Sequence, residues 1–238
     1  MRVGIMSETR VSLYIHIPFC QAKCSYCDFN SYAGLESLVP SYVRALLAEM
    51  TLWQQPIQGM QAATVFLGGG TPSLLPLADI ERTLTALRQR FRLAADAEVS
   101  CEANPGTVHR PYLRGLRSLG VNRLSLGVQS FHDDELAVLG RIHRAAEASE
   151  AYRTARQAGF DNVNLDLIYG LPGQTMAAWR QTVREAIALR PEHLSLYALT
   201  VEEDTPLADD VAHGRLPPPD ADLAADMYLW AEDALATA

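Results

Sequence analysis

The chain has 238 residues, enough for one large domain or two small ones, and its 48% hydrophobic content allows a sizeable core. A net charge of −8 disfavours non-specific binding to nucleic acid. There is no apolar run long enough to span a bilayer and no signal-peptide core in the first ten residues, so no membrane span and a cytoplasmic location are expected.

Residues 1–10 read as an N-terminal extension. Six apolar or β-branched runs then alternate with helical patterns. Val11–Ile17 precedes a helix at Pro40–Gln54, Ala63–Leu67 one at Pro76–Phe91, and Glu98–Glu102 one at Arg110–Leu119. Arg123–Val128 precedes Ala145–Ala158, Asn162–Ile168 precedes Met176–Leu189, and His193–Leu199 leads on to Asp220–Thr237. This alternation predicts parallel strands with crossover helices. Six units suit an α/β fold of the incomplete, TIM-like (β/α)6 barrel type. An open doubly wound sheet is the alternative. Residues 11–207 would form the barrel, and 208–238 a Pro-rich linker with a terminal helix, the start of a truncated C-terminal region.

The strands alternate in polarity, whereas central parallel strands covered on both faces read as apolar runs. Tyr14 and His16 oppose Ile15 and Ile17; Glu98, Ser100 and Glu102 oppose Val99, Cys101 and Ala103. Arg123, Ser125, Gly127 and Gln129 oppose Leu124, Leu126 and Val128, and Asn162, Asn164 and Asp166 oppose Val163, Leu165 and Leu167. His193, Ser195 and Tyr197 oppose Leu194, Leu196 and Ala198. The apolar face must meet the helices, and the polar face a lumen. Unpaired polar groups there would cost roughly a few kcal/mol each, so a polar ligand and ordered water are expected to fill it. An antiparallel sheet with one wet face would explain the alternation but not the long helical connections.

Sites in parallel α/β folds form at the C-terminal strand ends. The first strand here enters Cys20, Cys24 and Cys27, spaced C-x3-C-x2-C, and Cys101 is the only other cysteine. The clustering argues for a reducing compartment rather than a disulfide framework. Three thiolates can hold three irons of a cubane iron–sulfur cluster and leave the fourth iron for another ligand. A zinc site completed by His16 is the alternative. The second strand enters Gly68–Gly70, where the backbone can approach a ligand closely; a tight strand-to-helix turn would also explain the run. Glu102 and Asp166 end polar strand faces, where a carboxylate can bind hydroxyls or an ammonium. Arg141 can grip a carboxylate with two parallel bonds.

The cysteine spacing, with Tyr26 before the third cysteine, resembles the radical S-adenosylmethionine (SAM) superfamily. That resemblance implies a [4Fe–4S] cluster whose free iron chelates SAM, and an electron that cleaves SAM to methionine and a 5′-deoxyadenosyl radical. The segments YIHIPFCQAKCSYCDF, GGGTPS, EANPGT, GVNRLSLGVQSF, LGRIH, NLDLIYGLPGQT and HLSLYALTVEEDTPL span roughly residues 11–207. They resemble the oxygen-independent coproporphyrinogen III oxidase-like family, and within it the HemW-type heme chaperones. The resemblance implies SAM contacts at Tyr14, Tyr26, Gly69, Gly70, Thr71, Glu102, Gln129, Arg141 and Asp166, with Thr200 added. It also implies heme or a porphyrin as cargo, an electron donor such as flavodoxin or ferredoxin, and a heme-accepting protein.

Two departures bear on function. Phe29 stands where coproporphyrinogen dehydrogenases carry a further cysteine, C-x3-C-x2-C-x-C, which favours heme handling over decarboxylation of coproporphyrinogen propionates. The family's C-terminal domain, with an HNxxYW-like motif linked to heme binding, does not appear in the sequence. The resemblance therefore implies a shortened member that binds heme weakly, or a remnant without function. Of the histidines His16, His109, His132, His143, His193 and His213, none stands out as a heme ligand.

Overall fold

The alternating polarity of the sequence resolves into six parallel strands with helices along one face. The structure, a computed structural model, describes residues 9–237, so the expected N-terminal extension lies almost wholly outside the described residues. Strand β1 (Arg10–Ile17) is followed by two-residue strands β2 (Phe19–Cys20) and β3 (Tyr32–Ala33), helix α1 (Val39–Trp53), β4 (Gln61–Gly69) and α2 (Leu77–Arg90). Then come β5 (Leu93–Ala103), α3 (Arg110–Ser118), β6 (Arg123–Gln129), α4 (Asp133–Val138), α5 (Ala145–Gln157) and β7 (Val163–Tyr169). The chain continues through α6 (Met176–Leu189), β8 (His193–Ala198), α7 (Pro206–Ala212) and α8 (Ala221–Ala236).

The main sheet runs β1-β4-β5-β6-β7-β8, every neighbouring pair parallel. That order follows the chain without reversal. A doubly wound sheet reverses at a switch point, so the partial barrel holds and the doubly wound alternative does not.

The helix-facing residues of the strands form one core. Val65, Leu67, Cys101, Leu124, Leu126, Leu165 and Leu167 pack with Ile80 and Leu84 of α2, Leu113 and Leu116 of α3, and Trp179 and Val183 of α6. Each fully buried aliphatic side chain of this kind stabilises the fold by about 1.5–3 kcal/mol. Helix α8 joins the same core through Met227 and Ala231, and the Trp179 indole N–H donates to the Met227 carbonyl at 2.9 Å.

The lumen departs from expectation. Much of its polar lining pairs with itself rather than waiting for ligand or water. Ser125, Asn164, Asp166, His193 and Ser195 form one hydrogen-bonded set, and Glu98, Ser100 and Arg123 another. Side-chain pairing across neighbouring parallel strands removes the penalty that made a filled lumen look obligatory.

Two short helices and one pair of short strands carry no sequence expectation. Helix α4 is too short for a 3.6-residue pattern, though its first turn, Asp133, Asp134 and Glu135, complements the helix N-terminus. Helix α7 follows a cap, the Thr205 hydroxyl accepting from the Ala208 N–H at 3.2 Å with Pro206 in the first turn. The β2–β3 pair depends on residues Phe19 and Tyr32 meeting across an intervening loop.

Candidate functional site

The cysteine loop is closed at its base and tied down at its middle. Below it, β2 pairs with β3, and the Tyr32 N–H donates to the Pro18 carbonyl at 2.7 Å. At its middle, the Ser25 N–H donates to the Leu139 carbonyl (3.1 Å) and its hydroxyl to the Val138 carbonyl (2.7 Å). The Ser25 carbonyl accepts from the Leu207 N–H at 2.9 Å. The loop is thereby anchored to the end of α4 and the start of α7. Gly140 permits this approach: its φ is +66°, and an added Cβ would lie 3.0 Å from the Ser25 nitrogen. Tyr26 packs against Leu139, Ile168 and Leu171. Burial raises its hydroxyl pKa, and the nearby Arg141 opposes that shift.

Cys20, Cys24 and Cys27 are half-buried free thiols, each touched by a different group. The Thr71 hydroxyl points at the Cys20 sulfur (3.6 Å), Arg141 Nη1 donates to Cys24 Sγ (3.2 Å), and the Ser31 hydroxyl lies 3.7 Å from Cys27 Sγ. Among the described residues, no three His, Cys, Asp or Glu side chains converge as a single-ion site requires. His16 is committed elsewhere, its Nδ1 to the Tyr14 hydroxyl (3.1 Å) and its Nε2 to the Asn30 carbonyl (2.7 Å). The fourth ligand that the zinc alternative asks of His16 is thus engaged with other partners.

The glycine run lies beside these thiols. An added Cβ on Gly70 would meet the Phe19 carbonyl at 2.7 Å and Cys20 Sγ at 3.0 Å; one on Gly69, at φ +115°, would enter the His16 ring at 2.6 Å. The backbone thus lies flat against the cysteine loop in a way no side chain would allow. The Gly69 N–H donates to Glu102 Oε2 at 3.0 Å.

Burial pushes the Glu102 carboxyl from 4.5 up to about 7; Asp166 adds to the shift and the Gly69 N–H opposes it. A carboxyl whose folded pKa is raised stabilises the fold while protonated, and that stability is lost as pH rises from about 4.5 to about 7. Glu102→Gln removes the titration. In urea unfolding of the cofactor-free protein, the variant is expected to gain about 2–3 kcal/mol on wild type between about pH 4.5 and pH 8. Parallel stability curves would refute the claim that this carboxylate is destabilising.

Gln129, at the end of β6, and Arg141, in the loop between α4 and α5, close the site. Gln129 has φ +69° and sits at an irregularity where Gly127 pairs with Asp166 and Gln129 with Leu167. A non-glycine residue there stores strain and points to function. Gln129 Nε2 and Arg141 Nη2 both come within 3.2 Å of where a Gly127 Cβ would stand, and Arg141 Nη2 donates to the Gly127 carbonyl at 2.8 Å. Arg141 Nε is buried with no partner. His143 is wedged between Asn104 Oδ1 (3.2 Å) and the Val128 carbonyl (3.1 Å). Burial, with Arg141 beside it, pushes its pKa down to about 4, so it props the rim as a neutral ring.

Most of the expected residues therefore meet. Cys20, Cys24, Tyr26, Gly69, Gly70, Thr71, Glu102, Gln129, Arg141 and Asp166 are joined by the contacts just described or by the strand pairing. Tyr14 stands exposed on the edge strand, linked through His16. Thr200 lies exposed just past β8 with no hydrogen bond among the described residues. A recess of about 470 Å³ around Gln54, Met60 and Phe91 lies at the other end of β4 and shares no residue with the site. Sequence reasoning gave Ser25 and Gly140 no role, although they stand inside the quoted segments YIHIPFCQAKCSYCDF and LGRIH, and it placed Gly127 on the inward face without a contact to Arg141.

The radical SAM superfamily pattern matches residues 14–186. The chain belongs to the radical SAM superfamily. Membership implies a [4Fe–4S] cluster and SAM, and the donor set fits them: three thiols on one loop, a side-chain-free glycine cradle, two half-buried carboxylates and an arginine with an unused N–H. The heme chaperone HemW of Synechocystis sp. is 42% identical over 94% of this chain and 56% of its own length. HemW of Escherichia coli is 46% identical over 92% of this chain and 57% of its own. The solved coproporphyrinogen III oxidase HemN of E. coli superposes with a TM-score of 0.87 at 31% identity, covering 97% of this chain and 53% of that one. The chain spans about half the length of the curated relatives it matches. Among the described residues of this radical SAM protein, no helix is long and apolar enough to cross a membrane.

Proposed function

We propose that this chain is the cluster- and SAM-binding part of a HemW-like heme chaperone, with heme as cargo and a heme-accepting protein as recipient. The observation that carries the reading is the loop itself. It offers three anchored thiols, and where the family's dehydrogenases add a cysteine it presents Phe29, 70% exposed. The greater identity to HemW than to HemN supports the same branch.

In this reading Cys20, Cys24 and Cys27 hold three irons. When bound, the cluster supplies an open iron for SAM and the electron that cleaves it, drawn from a flavodoxin- or ferredoxin-like donor. Gly69 and Gly70 leave room for SAM's amino-acid portion beside Cys20, and Thr71 steadies that sulfur. Arg141 receives a carboxylate through its unused N–H. Glu102 and Asp166 accept from hydroxyls or an ammonium. Tyr14, Tyr26, Gln129 and Thr200 border the pocket. A second reading, oxygen-independent oxidation of coproporphyrinogen III, is favoured by the close superposition on HemN.

One anaerobically reconstituted sample tests both. Calorimetry is expected to show SAM binding weakened by about 1.5–3 kcal/mol, tenfold or more, in Asp166→Ala and in Arg141→Ala. Heme should give a weak, saturable shift of the Soret band, and coproporphyrinogen III should remain unconverted. Protoporphyrinogen IX formation would move the chain to the dehydrogenase branch. Wild-type SAM affinity in both variants would remove the pocket.

A further inference from the structure

Below the rim, four polar side chains that the functional reading leaves unused, Ser125, Asn164, His193 and Ser195, are linked to Asp166. Asp166, on the inward face of β7, accepts on both oxygens: Oδ1 from the Asn164 amide at 2.8 Å and Oδ2 from the Ser125 hydroxyl at 2.9 Å. The Asn164 amide nitrogen also donates to Ser125 Oγ at 2.7 Å. Asn164 Oδ1 accepts from the Ser195 hydroxyl at 3.2 Å and from His193 Nδ1 at 2.5 Å.

The proton directions follow from the carboxylate. An ionised carboxylate only accepts, so the amide must turn its NH2 toward Asp166 and its oxygen away. That oxygen then needs donors, and Ser195 and the Nδ1–H of His193 are the two beside it. Ser125 receives one amide hydrogen and directs its own to Asp166. Both amide hydrogens are thereby used, and Asn164 is only 1% exposed, so water does not compete. The opposite amide orientation would set carbonyl against carboxylate.

We infer that Asn164, oriented by His193 and Ser195 and paired with Ser125, is a positioning residue that keeps Asp166 ionised and aimed at a ligand hydroxyl or ammonium. The inference rests on the reading of Asp166 as a SAM contact. Burial raises the Asp166 carboxyl above its ordinary range on balance, and Ser125, Asn164, Ser195 and Arg123 each oppose that rise. Glu102 from β5 and Arg123 from β6 are the charged groups that face it, and His193 from β8 is the titratable group behind Asn164. Without the amide, desolvation is opposed by fewer donors and the carboxylate loses its fixed direction.

The test pairs two readouts. In cofactor-free protein with labelled aspartate carboxylates, NMR follows the titration of Asp166. In reconstituted protein, calorimetry measures SAM affinity at about pH 6 and pH 8. Asn164→Leu is expected to raise the Asp166 titration by about one pH unit or more and to weaken SAM binding about tenfold, more severely at the lower pH. Ser125→Ala should move both readouts the same way by less, and it serves if the leucine variant does not fold. Asp166→Asn should lose affinity equally at both pH values. Unchanged SAM affinity in both network variants, with Asp166→Asn impaired, overturns the positioning role alone. Wild-type affinity in Asp166→Asn overturns the SAM contact at Asp166, and the inference with it.

Discussion

Alanine at Cys20, Cys24 or Cys27 is expected to reduce iron and acid-labile sulfide in anaerobically reconstituted protein to near background. Each thiol would hold one corner of a cubane cluster, and the loop has no fourth cysteine to replace it. Substitution should spare the fold, because backbone bonds at Ser25, Tyr32 and Gly70 organise the loop without using a sulfur. Cys101→Ala is the internal control. Its side chain is fully buried on the helix side of β5 with its S–H directed at the Glu102 carbonyl, 3.4 Å away. Burial pushes its thiol up to about 12, which marks an inert, protonated cysteine. Full cluster content in all three loop variants would end the assignment, and loss of cluster on removing Cys101 would relocate it.

Gly69→Ala should lower stability by about 2–5 kcal/mol, combining backbone strain with a clash. At φ +115° an L-residue is strained whatever the space, and here the new methyl would also enter the His16 ring. That ring cannot swing clear without giving up the Tyr14 hydroxyl and the Asn30 carbonyl. Because Asn30 belongs to the cysteine loop, the damage should spread to cluster assembly. Gly159→Ala separates the two causes. It has φ +93° and nothing within 4 Å of the added methyl, so it should cost only the backbone share, about 1–2 kcal/mol. Urea midpoints for the two variants measure the difference. Equal losses would show that His16 gives way freely and that the close packing at Gly69 is unimportant.

The alternation in the sequence assigns a polar and an apolar face to each strand, because side chains alternate sides along any strand. Ser100, Ser125 and Asn164 do point into the lumen, and Cys101, Leu124 and Leu165 do meet the helices. The strand–helix rhythm likewise led to parallel pairing, and the spacing of Cys20, Cys24 and Cys27 to one loop. These are local properties. The distances along the chain are short enough that covalent geometry alone imposes them.

What the tertiary structure decided are contacts between residues far apart in sequence. Nothing local predicts that Ser25 will bond to Val138 and Leu207, that Gly140 must be glycine for Ser25 to approach, or that Arg141 will reach back to Cys24. The self-pairing of Asn164, Asp166 and His193 was equally hidden, because a polar residue on an inward face looks the same in sequence whether a neighbour or a ligand satisfies it. Sequence determined which chemical groups face the lumen and which loop carries the thiols. The parallel pairing of the sheet decided which of those groups meet, since it brings side by side strand ends that the chain itself separates by a helix each time.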